Sequence, residues 1–143
     1  MTTQPSEILD VVIEGVHLAF ETEPALFSPQ GIDPGTASLL AQVQFQDNDK
    51  VLDLGCGYGV IGIYAAKRVN PQQVFLIDND PAAVKKATRN ARLNEVESIH
   101  IQCSEGFREL NETGFTKICA TPLITRTFPS QNTSSKKAST AWS

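Results

Sequence analysis

The sequence predicts an α/β fold in which part of a parallel sheet is interleaved with helices. Three observations predict it. Apolar runs at residues 50–54, 73–77, 98–103 and 115–120 have the length and composition of buried strands. Helical segments at 60–68 and 81–94 alternate with the first three runs, the order that makes βαβ units. Gly55, Gly57 and Gly59 stand at every second position between the first strand and the first of these helices.

The first segment, residues 1–26, contains a loosely alternating stretch at 10–21, with Val11, Ile13, Val16, Leu18 and Phe20 apolar. That pattern predicts an extended strand, or a hairpin bent at Gly15. His17 reads as a half-exposed strand residue. Residues 27–36 form a loop punctuated by Pro29, Gly31, Pro34 and Gly35. Thr36 is placed to cap a helix carrying Leu39, Leu40 and Val43, which ends in the polar run 46–49.

Val51, Leu52 and Leu54 make residues 50–54 a buried strand. The glycines after it let the chain turn tightly, and they let a ligand approach the main chain, because positive φ costs glycine little. The helix at 60–68 follows, with its first N–H groups aimed back at that ligand. Gly57-x-Gly59-x-x-Gly62 fits the dinucleotide fingerprint, so a nicotinamide cofactor is one reading. Asp53 favours another, since a carboxylate at the strand end repels a pyrophosphate and attracts a cationic, amine-bearing ligand. A turn that binds nothing is the bland alternative, but closely spaced glycines weaken a fold without helping it pack.

The strand at 73–77 leads to Asp78, 19 residues after Gly59. Asp80 suits the cap of the next helix and Pro81 its first position. Asp78 is then left at the strand tip, where an acid can accept hydrogen bonds from ribose hydroxyls. On the helix at 81–94, Val84, Ala87 and Ala91 form the apolar face. Lys85, Arg89 and Arg92 share another face, which is either a solvated surface or a patch for RNA phosphate. His100 lies between Ile99 and Ile101 and is assigned no catalytic role. The fourth strand, 115–120, centres on Ile118.

Size and charge narrow the function. At 143 residues the chain makes at most one domain, and no apolar run approaches a membrane span. Cys56, Cys103 and Cys119 are isolated, show no metal-ligand spacing, and fit a reducing cytoplasm. The N-terminus shows no secretory signal. Residues 1–112 hold all 16 acids and 8 of the 12 basic residues, a balance of −8, while 113–143 hold the other four bases and no acid. An acidic domain needs a local basic patch or another domain to bind RNA. Oligomeric state is not legible.

Asp53-Leu54-Gly55-Cys56-Gly57-Tyr58-Gly59 closely resembles the first motif of class I S-adenosylmethionine-dependent methyltransferases. Upstream, Phe27, Ser28, Asp33, Gly35, Thr36, Leu39 and Leu40 match the segment before that loop in the small-domain methyltransferases, which include small-subunit ribosomal RNA guanine-N2 enzymes. The resemblance covers about residues 27–120 and implies a Rossmann-like class I methyltransferase fold. It implies S-adenosyl-L-methionine as cofactor and an exocyclic nitrogen of an RNA base as methyl acceptor. By the same resemblance Asp53 attends the methionine end, and Gly55, Cys56, Gly57, Tyr58 and Gly59 line the cofactor. Asp78 and Asn79 stand at the ribose, Glu105 at the adenine amino group, and Asp33, Gly35 and Thr36 nearby. Related enzymes carry Asp where Ser104 or Glu105 stands here.

The resemblance fails after Ala120. It predicts Asn or Asp, then Pro-Pro, then an aromatic, a rigid turn that holds an exocyclic amine. This chain has Thr121-Pro122-Leu123-Ile124. Residues 121–143 contain ten Ser/Thr in 23 positions and continue no helical or strand period. The expectation is therefore an incomplete fold, the N-terminal half of a seven-stranded sheet, with a polar tail that is disordered or out of frame. One synonymous codon choice from Ala120, read two bases later, encodes Asn-Pro-Leu-Asn-His-Thr-Asp-Phe, close to the lost motif. No catalytic residue is assignable on this reading. A non-catalytic cofactor-binding fragment or partner subunit is the alternative, and an NAD-dependent oxidoreductase the third.

Overall fold

The computed structural model describes residues 7–22, 34–120 and 124–127. Phe27, Ser28 and Asp33 of the upstream segment lie outside the described residues, as do 121–123 and 128–143 of the tail.

The chain opens with an antiparallel hairpin, β1 (Glu7–Ile13) and β2 (Val16–Thr22). Its two turn residues, Glu14 and Gly15, have φ of 47° and 81°. That pair of positive values gives the twist a two-residue hairpin needs. Helix α1 spans Pro34–Gln42. Its start corrects the sequence reading, because Thr36 lies inside the first turn and not at the cap. Proline fits the first helical position, where its missing N–H has no partner to lose.

The main sheet contains β3 (Val51–Leu54), β4 (Val74–Asp78), β5 (His100–Cys103), β6 (Lys117–Ala120) and β7 (Ile124–Thr127) in the order β5-β4-β3-β6-β7. The first four are parallel; β7 runs antiparallel to β6. This strand corrects the reading of residues 121–143 as continuing no strand. Its four residues, two of them threonine and one isoleucine, suit a strand, and the open edge of β6 supplies the pairing.

Helices α2 (Val60–Arg68) and α3 (Pro81–Leu93) connect β3 to β4 and β4 to β5. Both crossovers step the same way across the sheet, so one handedness places both helices on one face. Ile63, Tyr64, Ala87 and Ala91 there form a single core with Val51, Val74, Leu76, α1 and the hairpin residues Leu18 and Phe20. The opposite face carries Leu52, Phe75, Ile77 and Ile118, covered by Leu110 and Phe115 from the β5–β6 connection. A Rossmann-like sheet is expected to carry helices on both faces. Among the described residues the helices contribute to one face only, because just two βαβ steps precede the reversal.

A polar staple joins the β3 and β6 starts. Thr116 donates to Asp49 at 2.6 Å and accepts from the Lys50 N–H at 2.9 Å, while Lys117 pairs with Asp49 at 3.0 Å. All three of Asp49, Thr116 and Lys117 are buried. Burial pushes the Asp49 carboxyl up, but bonds from Gln46, Thr116 and Lys117 and the Lys117 charge hold it below its ordinary 3.8. His100 stacks on Phe75 at 4.3 Å and plays a packing part.

Candidate functional site

After β5 the chain returns across the sheet to place β6 on the other side of β3. The strand order therefore reverses between β3 and β6. In open α/β sheets ligands bind at such a switch point, beyond the carboxyl ends of the strands. The glycine loop leaves β3 at that point.

The loop is held from below. The Gly55 and Cys56 N–H groups both donate to the Ile77 carbonyl at 2.9 Å, and Gly59 N–H donates to the Cys56 carbonyl at 2.9 Å. Gly55, Gly57 and Gly59 have φ of 79°, 56° and 102°, values that side-chain-bearing residues rarely adopt. A Cβ on Gly57 would meet nothing within 4 Å, so the main chain at Gly57 is open to a ligand, whereas one on Gly59 would sit 2.9 Å from Ile63 Cδ1. Gly62 serves another purpose. A Cβ there would sit 2.5 Å from the Leu76 Cγ and Cδ1, so its absence lets α2 lie close on β4.

Asp53 is 2% exposed and its Oδ2 accepts the Gly62 N–H at 2.9 Å. Its carboxylate is thus buried at the strand end and engaged with the first turn of α2. Gly59, the N-cap of α2, has no side chain to bond the first turn. Asp53 supplies the missing acceptor from the neighbouring strand, and an anion there also suits the helix dipole. Burial pushes the Asp53 carboxyl up to about 7, opposed by the Gly62 bond and reinforced by the charge of Asp78.

Asp78 ends β4 with its carboxylate in the loop. Oδ2 accepts the Gly57 N–H and Oδ1 the Asp80 N–H, each at 2.9 Å. Asp80 caps α3 through the Ala82 N–H, as its spacing predicts. Asn79 is exposed, and its carbonyl faces the Cys103 thiol at 3.8 Å. The Asp78 carbonyl accepts the Ser104 N–H at 2.9 Å, which brings the ends of β4 and β5 together. Ser104 is buried and its hydroxyl bonds the Gly106 carbonyl at 2.7 Å. Glu105 is largely exposed and pairs with Arg108 at 3.0 Å. Thr36 is half-buried in the first turn of α1.

Cys56 is buried, and burial, then the charges of Asp53 and Asp78, push its thiol far above the ordinary range. It is a packing residue of the loop and no nucleophile. Tyr58 is half-buried, with Phe20 of the hairpin edge-on to its ring at 6.0 Å. The Tyr58 carbonyl accepts from Asn90 Nδ2 at 2.9 Å. Asn90 and Phe20, both 0% exposed, are site-forming residues that the sequence reading missed. The available signal was Asn90 three residues after Ala87, on the apolar stripe of α3.

Among the described residues no group of three or more His, Cys, Asp or Glu side chains is placed to hold a metal ion. No described helix is long and apolar enough to cross a membrane.

Known proteins share both pattern and fold. The family model for the methyltransferase small domain matches residues 17–135. A ribosomal RNA small subunit methyltransferase C of Colwellia psychrerythraea is 33% identical over 102 residues, 71% of this chain and 28% of that protein. A ribosomal protein L11 methyltransferase of Exiguobacterium sibiricum is 36% identical over 95 residues, 64% of this chain and 30% of that protein. The T. thermophilus 16S rRNA N2 methyltransferase solved with AdoMet and guanosine superposes with a TM-score of 0.65 at 24% identity, over 85% of this chain and 34% of its own. The chain therefore spans roughly a third of the length of these relatives. A family match over most of the chain, on a sheet that reverses at its glycine loop, shows that the chain belongs to the methyltransferase small-domain family.

Proposed function

We propose that this chain forms the S-adenosylmethionine-binding part of an RNA methyltransferase that modifies an exocyclic nitrogen of a ribosomal RNA base. The observation that carries it is the pairing of open main chain at Gly57 with the Asp78 carboxylate beside it, at the switch point of the sheet. The residues present fit that cofactor. Gly57 and the exposed Gly55 admit close approach, while Gly59, where a Cβ would meet Ile63 Cδ1 at 2.9 Å and Ala87 Cβ at 3.4 Å, lets the loop pack on α2 and α3. Each Asp78 oxygen accepts one main-chain bond and keeps capacity for a ribose hydroxyl. Ser104 or Glu105 stands near enough in sequence to the end of β5 to meet the adenine. Asp53 holds the start of α2 at the methionine end of the site. Tyr58, Cys56 and Asn79 complete the loop edges, and Thr36 an outer contact.

The bound cofactor supplies the methyl group and its own positive charge; the chain's task is positioning. The position expected to hold the acceptor amine, 121–124, carries Thr-Pro-Leu-Ile, and residues 121–123 lie outside the described ones. We infer weak or no turnover by the chain as written. Three cysteines with no disulfide fit a reducing, cytoplasmic setting.

Calorimetric titration with S-adenosylhomocysteine, with NAD as control, tests the reading. Saturable binding of the former alone supports it. Binding of NAD alone, or of neither by a chain that melts cooperatively, sinks it. The similarity to L11 methyltransferases supports a second reading, methylation of a protein side chain. Transfer to ribosomal protein, and none to ribosomal RNA, by the chain extended to its relatives' length would favour that reading.

A further inference from the structure

Helix α3 and its C-cap meet the hairpin through two buried asparagines four residues apart. Asn94 Oδ1 accepts the Ala19 N–H at 2.9 Å, and its Nδ2 donates to the Ala19 carbonyl at 2.6 Å. Asn90 does the same at Glu21: Oδ1 accepts the N–H at 2.6 Å and Nδ2 donates to the carbonyl at 3.1 Å. The two amides therefore satisfy alternate residues of β2 on the edge that β1 leaves free. Side chains on a helix do here what a third strand would do. Both asparagines are buried, at 0% and 7% exposure.

The two differ in one respect. Asn90 Nδ2 also donates to the Tyr58 carbonyl in the glycine loop, at 2.9 Å, whereas the second Asn94 bond returns to the Asn90 carbonyl of its own helix. Three carbonyl and N–H groups converge on one amide, which settles its orientation. Phe20, between the two bonded β2 residues, packs edge-on to the Tyr58 ring. Hairpin and loop are thus joined twice, by a side-chain relay and by ring contact.

We propose that Asn90 is a positioning residue for the cofactor loop, tying the Tyr58 carbonyl and the path of Gly57 to Gly59 to the N-terminal hairpin. The hairpin, although outside the parallel sheet, is then part of what sets cofactor affinity. This rests on the reading of the glycine loop as the cofactor site.

The matched variants Asn90→Ala and Asn94→Ala separate positioning from support, because each removes an equivalent pair of hairpin bonds, at Glu21 or at Ala19, and only the first also removes the bond to the Tyr58 carbonyl. We expect S-adenosylhomocysteine affinity to fall roughly tenfold in Asn90→Ala and by less than about threefold in Asn94→Ala. Amide exchange at Gly57 and Gly59, measured without ligand, accelerates in Asn90→Ala only. Equal effects of the two variants on both readouts overturn the proposal. If wild type melts cooperatively and binds no S-adenosylhomocysteine, the cofactor reading fails, and the exchange data still decide the positioning role. If Asn90→Ala does not fold, native-state exchange of the wild-type chain decides: the amides of Glu21, Gly57 and Gly59 must open as one unit. Loop amides that open independently of Glu21 overturn the proposal.

Discussion

Asp78 and Gly57 are joined by a 2.9 Å hydrogen bond from the glycine N–H to the carboxylate Oδ2, across the tips of two adjacent strands. The acid that the sequence assigns to a ribose is also a brace for the loop that would contact the cofactor. Asp78→Ala removes a charge-assisted acceptor from two main-chain N–H groups. Each such bond contributes about 1.5–3 kcal/mol, so cofactor-analogue affinity is expected to fall at least roughly tenfold. Faster exchange of the Gly57 amide in the ligand-free variant shows the brace at work. An unchanged Gly57 amide with lost affinity would leave Asp78 a ligand contact only.

Gly62 tests the packing argument. Gly62→Ala drives a methyl group against Leu76, which is 0% exposed and cannot swing into solvent. The expected loss is about 1–3 kcal/mol of unfolding free energy. Adding Leu76→Val makes room, so the double variant recovers part of the loss; strict additivity in a urea double-mutant cycle would refute the clash.

Asp53 makes stability depend on pH. Its folded value, about 7, stands above the ordinary 3.8 of an unfolded chain. The folded state therefore holds a proton that the unfolded state releases, and stability falls as pH rises from about 4 to about 7. Asp53→Asn keeps an acceptor for the Gly62 N–H and has no charge to bury. Its stability advantage over wild type is expected to grow by roughly 2–3 kcal/mol between pH 5 and pH 8. Urea unfolding at the two pH values measures this; a gap that does not change would show that Asp53 ionises freely.

The staple below the sheet behaves oppositely. Asp49 is depressed, so its contribution is present above pH 3.8 and is lost as pH falls through its lower folded value. Lys117→Met leaves this buried carboxylate without its countercharge and is expected to cost about 3 kcal/mol or more. Adding Asp49→Leu removes the orphaned charge. A double variant no more stable than Lys117→Met would contradict the buried-pair account.

Residues that pack or turn by their own chemistry were legible. The alternating stretch at 10–21 is a hairpin, the strand and helix positions around the glycines hold, and Asp80 and Pro81 start α3. Asp53 shows the limit. Its residue type and place pointed to a ligand, but its carboxylate bonds the Gly62 N–H, nine residues on. Strand β7 shows another limit, because four ordinary residues become a strand only where β6 offers an edge.

The βαβ units, the glycine loop and the acid at the tip of β4 follow from residues close together in the chain, because periodicity, capping and glycine's backbone freedom act over a few residues. Which face the helices cover, where the sheet reverses, and that Asn90 and Phe20 reach the loop follow from long-range packing. Those contacts join Glu21 to Asn90 and Phe20 to Tyr58 across dozens of residues. No local pattern encodes a partner that far away; the crossovers of the sheet bring them together.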